Sequence, residues 1–204
     1  MTFRSRALTL GLLVVLAGCA QPAPSAPNTA PASTPAADWR AETSAQAYQV
    51  QQLRWSRYRD YLARRRIAMA IEESIFAMVN RERATAGLSA LSHETALRNV
   101  ARLHSIDMSA KNYFAHNDPD GKTPADRLRA ANIGFSAWAE NIRWVSAPRT
   151  DAANDIMYEP VTGWMNSAGH RANILNGNLT QMGVGVYLNP GRTRYYATQV
   201  FIRP

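Results

Sequence analysis

Met182-Gly183-Val184-Gly185-Val186-Tyr187-Leu188-Asn189-Pro190-Gly191-Arg192-Thr193-Arg194-Tyr195-Tyr196-Ala197-Thr198-Gln199-Val200-Phe201-Ile202 is the stretch that decides the fold class. Val184, Val186 and Leu188 alternate with other residues, which predicts a strand over 183–188. Residues 195–202 are rich in β-branched and aromatic side chains and predict a second strand, with Asn189-Pro190-Gly191-Arg192 as the turn between them. Upstream the periodicity is helical. Ile71, Ile75, Met78 and Val79 share one face and run towards Gly87, a candidate C-cap. A second helix is expected after Ser92 as N-cap, with His93 in its first turn and Leu97, Ala101, His104 and Met108 on one face. Asn117 to Gly121 is a turn cluster, and Thr123 with Pro124 predicts a short helix through Ala131. A fourth helix is expected over roughly residues 155–166. Helices first, adjacent strands last and no βαβ period together predict an α+β fold with an antiparallel sheet.

The whole chain has 204 residues, 46% hydrophobic and 19% charged, enough for one domain with a sizeable core. Its single cysteine excludes an intramolecular disulfide and a cysteine-based zinc site. That cysteine closes the run Leu16-Ala17-Gly18-Cys19, after basic Arg4 and Arg6 and an apolar segment from Ala7 to Leu16 that is too short to span a bilayer. Small residues before a cysteine at this place resemble the lipobox of bacterial lipoproteins. The resemblance implies cleavage before Cys19 and acylation of Cys19, palmitate included, so that residues 1–18 are a signal peptide. Ala20 after the cysteine implies sorting to the outer membrane where the organism has one.

Residues 19–38 read as a tether. Between Ala20 and Ala37 stand five prolines, seven alanines and no charge, a semi-rigid segment reaching at most roughly 55 Å at about 3.1 Å per residue. The formal charge of +8 is unevenly spread: residues 39–66 carry seven arginines against Glu42 and Asp60, whereas 67–204 carry 14 basic against 12 acidic residues. The basic character is therefore a local arm, 39–66, ahead of a domain at 67–204. In the arm Tyr48, Trp55, Tyr58 and Leu62 fall at helical spacing among arginines. Two readings follow: a helix that touches anionic lipid or cell-wall polymer, or a helix that packs its aromatic stripe on the domain, the reading preferred at this point. Nucleic acid is not an expected partner of an exported, tethered chain.

Several chemistries are absent from the sequence. There is no Gly-x-Ser-x-Gly elbow and no P-loop. His93-Glu94 begins like a zinc-protease helix, but Leu97 stands where the second histidine belongs. Asp118 and Asp120 open like an EF-hand loop but lack the later bidentate glutamate, and turn chemistry explains them better. His104, on an apolar helical face, reads as a buried core histidine. His116 and His170 lie beside turn formers, where functional residues concentrate. Glu140 follows an apolar stretch, an odd setting for a merely solvated acid. Two imidazoles and a carboxylate make a usable divalent-metal set, although spacing alone does not bring them together.

Phe114-Ala115-His116, Asp120-Gly121-Lys122-Thr123-Pro124 with Arg127, Ala139-Glu140-Asn141-Ile142, Trp164-Met165-Asn166-Ser167-x-Gly169-His170-Arg171-x-Asn173-Ile174-Leu175 and Met182-Gly183-Val184-Gly185-Val186 resemble, in this order, the CAP superfamily of cysteine-rich secretory proteins, antigen 5 and pathogenesis-related 1 proteins. Val79-Asn80-x-x-Arg83-x-x-x-Gly87 is similar to its bacterial, cysteine-free branch. The resemblance covers about residues 70–203. It implies an α-β-α sandwich with a three- to four-stranded antiparallel sheet between helical layers. It also implies a cleft lined by His116, Glu140, Ser167 and His170, which in several members holds zinc or another divalent ion. His116 and His170 are then the expected metal ligands, with Glu140 as third ligand or as a partner behind them. Ser167 stands where animal members carry a second acid. Glu159 is a poor replacement, lying eight residues earlier, about 12 Å along a helix.

Two functions are compatible with these residues. One is a membrane-anchored, extracytoplasmic binding module for a lipid, glycan or peptide, with or without a divalent metal. The other is a metal-assisted or Ser/His hydrolase acting on peptide or cell-envelope bonds, with Glu140, His170 and Ser167 as candidate catalytic residues.

Overall fold

The computed structural model describes residues 39–146, 153–191 and 193–204. The signal peptide, Cys19 and the tether read from the sequence, together with Arg192 of the predicted turn, lie outside the described residues.

A run free of glycine and proline forms one helix, α1, over Trp39–Thr85. The basic arm and the first helix of the domain are thus continuous. Gly87 at φ +73° reverses the chain, with Leu88 N–H donating to the Arg83 carbonyl at 2.9 Å. The next segment corrects the predicted helix start. Ser92 is not a cap: Ser92–His93 form a short strand, β1, and Glu94 caps α2 (Thr95–Ala110) by accepting from Ala96 N–H at 3.1 Å. His93 consequently lies outside the helix and packs edge-on against Phe76, ring centroids 5.4 Å apart. Thr123 and Asp126 exchange hydrogen bonds in a capping box that starts α3 (Pro124–Ala130). A strand not identified from periodicity, β2, follows at Ala137–Ser146. Then come α4 (Ala153–Met165), a short α5 (Ala168–Ile174) and the expected hairpin, β3 (Gln181–Leu188) and β4 (Arg194–Arg203).

The four strands are ordered β1-β3-β4-β2. β3 and β2 both pair antiparallel to β4, whereas the two-residue β1 pairs parallel to β3, so the sheet is antiparallel except at that edge. Alternation splits the core in two. Val184, Val186, Ala197 and Phe201 point to one face, covered by Ile71, Ile75 and Val79 of α1, Val161 and Trp164 of α4 and Ile174 of α5. Val200 and Ile202 point to the other, covered by Leu97, Val100 and Ala101 of α2 and Leu128 of α3. The result is a sheet between two helical layers, the α-β-α sandwich.

Two polar ties lock the layers. Arg83, fully buried, donates to the carbonyls of Ser89 (2.9 Å), Ile174 (2.7 Å), Asn176 (2.9 Å) and Leu179 (3.4 Å). Buried Glu72 receives both forks of Arg102 and the Val186 N–H, joining α1, α2 and β3. The aromatic stripe of the arm behaves otherwise than expected. Tyr48, Trp55, Tyr58 and Leu62 are exposed, because the arm continues a domain helix instead of forming a separate helix that packs on the domain. Among the described residues no helix is long and apolar enough to cross a membrane.

α2 lies directly on β3. A Cβ at Gly183 would fall onto the backbone of Leu97 and Arg98, and one at Gly185 onto that of Ala101 and Arg102. Because backbone atoms cannot move aside, Gly185→Ala is expected to cost towards the upper end of the ~1–3 kcal/mol typical of overpacking. Gly134→Ala, which meets nothing within 4 Å, is expected to be near neutral. Urea unfolding of the two variants beside the parent checks both.

Candidate functional site

β2 is an edge strand, and two consecutive residues on it serve opposite faces. Glu140 turns towards α2 and α3, Asn141 towards α5, as the pleat requires. Each organises one of the two histidines picked out from the sequence.

On the first side, α2 ends in a loop carrying Ala115-His116. Asp118 then closes a turn, its Oδ1 accepting from the N–H groups of Asp120 (3.0 Å) and Lys122 (2.8 Å), with Gly121 at φ +82°. The acids that mimic a calcium loop are thus turn formers. The turn feeds α3, which presents Arg127. Its Nη2 donates to Glu140 Oε2 at 2.7 Å and its Nη1 to the His116 carbonyl at 2.9 Å. The other oxygen, Oε1, accepts from His116 Nδ1 at 2.9 Å. The Glu140 side chain is 1% exposed and that of His116 is 48% exposed, so a buried, charge-paired carboxylate holds a solvent-facing imidazole. That bond assigns the proton to Nδ1 and leaves Nε2 outward.

His104 stands behind this pair. It is buried, as expected, but it is not inert packing. Its Nε2–H donates to the Ala115 carbonyl at 3.1 Å, bracing the loop that carries His116, and lies 3.9 Å from Glu140 Oε1. Burial holds its pKa below the ordinary imidazole value, against the opposing pull of Glu140.

On the second side, buried Asn141 donates to the His170 carbonyl (3.2 Å) and to Gln199 Oε1 (3.1 Å), and its Oδ1 accepts from Asn173 Nδ2 at 2.8 Å. Asn173 also donates to the Glu140 carbonyl at 3.4 Å. The first turn of α5 is therefore fastened to the edge strand, and His170 with it. The His170 pKa is lowered by partial burial first, then by the electrostatic influence of nearby His116 and Arg143.

Of the residues singled out from the sequence, His116 and Glu140 touch, whereas His170 is tied to β2 through its backbone carbonyl, which accepts from Asn141. Ser167 is the N-cap of α5 without a side-chain capping bond, and among the described residues it makes no hydrogen bond to His170. Glu159 pairs with Arg143, its Oε2 2.9 Å from Nε, and is no part of the cluster. Arg127, Asn141, Asn173 and the bracing role of His104 were not assigned from the sequence. The one local signal was Asn141 itself, a poor strand former placed mid-strand.

The expected metal was tested against these donors. Both Glu140 oxygens are engaged, which suits the carboxylate to orienting His116 and not to ligating a cation directly. Among the described residues no three His, Cys, Asp or Glu side chains stand together as ligands, and two imidazoles fall short of the three or four protein ligands of ordinary zinc sites.

Beside His116 opens a cleft of about 500 Å³ lined by Asn117, Thr123, Pro124, Trp138 and Asn173 among others. Residues 76–201 match the CAP, or cysteine-rich secretory protein, family, and the chain belongs to that family. It is similar to two curated Bacillus subtilis proteins. One is the uncharacterized protein YkwD, 38% identical over 122 residues, covering 60% of this chain and 44% of the relative. The other is the uncharacterized membrane protein YlbC, 34% identical over 141 residues, covering 68% and 36%. The chain thus spans less than half the length of each. Among solved structures it is similar to an extracellular protein containing a SCP domain from Bacillus anthracis, with TM-score 0.59, 35% identity and coverage of 69% and 43%. It shares its fold with an outer surface protein of Borrelia burgdorferi, with TM-score 0.55, 18% identity and coverage of 66% and 93%.

Two outcomes are expected. Arg127→Ala strips the cation from a buried carboxylate and should cost about 3–5 kcal/mol, while Arg127→Ala with Glu140→Gln should recover much of that loss, read by urea unfolding. The depressed His104 pKa means that the unfolded chain binds the extra proton between the ordinary value of 6.5 and the lower folded one. Its contribution to stability is therefore full above that window and is lost as pH falls through it, and His104→Gln should flatten the acid decline of the melting temperature.

Proposed function

We propose that the chain is an extracytoplasmic, lipid-anchored binding module whose cleft beside His116 takes a polar, ring-bearing ligand, a glycan or a peptide segment of the cell envelope. The observation that carries this reading is the state of Glu140. With one oxygen on His116, the other on Arg127 and its side chain buried, it is shut off from solvent water, so the pair is built to present an imidazole. Trp138 offers an exposed ring face in the same cleft, with Thr123, Asn117 and Asn173 supplying polar contacts around it. The cleft is open to solvent rather than enclosed, which does not favour a long acyl chain. The extracytoplasmic setting draws on the lipobox-like Leu16-Ala17-Gly18-Cys19 and on the extracellular and membrane descriptions of two relatives. Anchorage through acylated Cys19 and, where one exists, outer-membrane sorting belong to the same proposal.

A second reading has one observation of its own. A histidine held through Nδ1 by a buried carboxylate is how a general base is oriented, which would make His116 the base of a hydrolase acting on envelope bonds. The divalent ion expected from the sequence would be held by His116 and His170 alone and would need its remaining ligands from solvent or a bound molecule.

Titration calorimetry with peptidoglycan fragments is expected to give one site, weakened at least about tenfold, or about 1.4 kcal/mol, in both His116→Ala and Trp138→Ala. Cleavage of the fragments by the parent, lost in His116→Ala, would establish the hydrolase instead. A parallel Zn²⁺ titration is expected to show binding lost in His116→Ala and His170→Ala if the two imidazoles share an ion. Binding indifferent to both substitutions would remove the metal.

A further inference from the structure

The exposed stripe on the N-terminal part of α1 is not accounted for by the cleft. Tyr48, Trp55, Tyr58 and Leu62 are 63, 54, 52 and 40% exposed, an unusual display of large apolar side chains on one helix. With 3.6 residues per turn they fall within about a quarter of the helix circumference. On the same projection Arg54 and Arg65 border one side of that arc, and Arg59 and Arg66 border the other. Arg54, Arg59 and Arg66 are exposed and make no ion pair among the described residues, and Arg65 reaches only the Tyr61 hydroxyl, at 3.5 Å. The domain first grips α1 at Arg64, which donates to the Leu188 carbonyl at 3.2 Å, and at Ala68. Upstream of that grip, no described residue of the domain covers the stripe. Most helical stability in proteins comes from packing an apolar face, so an exposed stripe of this kind points to a partner.

We propose that this face of α1 lies on an anionic lipid surface, with Trp55, Tyr48 and Tyr58 at headgroup level and the bordering guanidiniums on lipid phosphates. Three observations favour this occupant over a second copy of the chain. First, the stripe follows a 3-4 spacing that would suit a coiled coil, yet its flanks are Arg54, Arg59 and Arg66, which would meet like charges in a homodimer. Second, residues 45–66 carry six arginines against Asp60 alone, so the complementary surface is negative. Third, Trp and Tyr bordered by arginines is the composition that seats at a membrane interface, where arginine stems lie along the apolar layer and their heads reach the phosphates. The inference stands without acylation of Cys19 and without the function proposed for the cleft.

The test uses the full chain with Cys19→Ala, which removes the only native thiol. Single cysteines are then introduced as Trp55→Cys, Leu62→Cys, Gln49→Cys or Ser56→Cys and labelled with an environment-sensitive fluorophore. On phosphatidylglycerol vesicles the labels at 55 and 62 are expected to shift to the blue while those at 49 and 56, on the far side, stay in water. On phosphatidylcholine vesicles none shifts. Arg54→Glu, Arg59→Glu and Arg66→Glu together should at least halve the shift at 55, with circular dichroism showing the helix retained. No shift at 55 and 62 on the anionic vesicles overturns the proposal, as does an equal shift at all four positions. A shift without lipid that grows with protein concentration overturns it in favour of self-association.

Discussion

The close approach of α2 to β3 is the constraint on which the rest of the structure hangs. Gly183 and Gly185 present bare backbone on one face of β3, and α2 rests on it. Ser105 then reaches the Gly185 carbonyl at 2.9 Å and the Thr198 hydroxyl at 2.8 Å, fixing the helix along its axis as well as its height. With α2 set, His104 is set one residue earlier, the Ala115 carbonyl is set by His104, and the loop bearing His116 follows. His116, on the loop after α2, is thereby positioned by a packing contact that the helix makes with the sheet.

Electrostatics repeats one solution twice. Glu72 and Glu140 are buried acids, and each is answered by an arginine from a neighbouring element together with a further donor. At Glu72 that further donor is a backbone N–H, and the result is a tie between layers. At Glu140 it is the imidazole of His116, and the result is a site. The same physical requirement, that a buried carboxylate be paired and hydrogen-bonded, serves architecture in one place and holds a solvent-facing imidazole in the other.

Strong periodicity and turn chemistry made much of this legible beforehand. The terminal hairpin, the buried face of α2, the Thr123-Pro124 start of α3 and the turn role of Asp118 were all readable from residue type and spacing. The expectation of one cleft shared by His116, Glu140, Ser167 and His170 came from ordered motifs; the described cleft is lined by His116 and Glu140, and His170 and Ser167 are not among its lining residues. β2 escaped because Glu140 and Asn141 interrupt its apolar pattern for reasons of the site, which is where local rules ought to fail. α5 escaped because seven residues are too few for a period to emerge. Ser92 misled because a good cap residue also fits a short edge strand, and Glu94 took its place. The aromatic stripe misled because helical spacing says which residues share a face and nothing about what that face meets. Arg127 was visible only as part of a motif, since its role depends on a carboxylate 13 residues away.

The Arg83 tie gives the two sides of the cleft different mechanical characters. Its guanidinium holds the Ile174 carbonyl at the end of α5, while Asn141 holds the His170 carbonyl near its beginning. The α5 side of the cleft, which Asn173 lines, is thus clamped at both ends, and its ordering entropy is spent during folding. The His116 jaw is a loop residue half open to solvent, steadied by Arg127 and His104 from behind. The cleft proposed to bind a ligand therefore has one wall fixed at both ends of a helix and one wall carried by a loop. In that proposal, adaptation among ligands of different size falls to the His116 loop, and the fixed wall supplies the register against which each is measured.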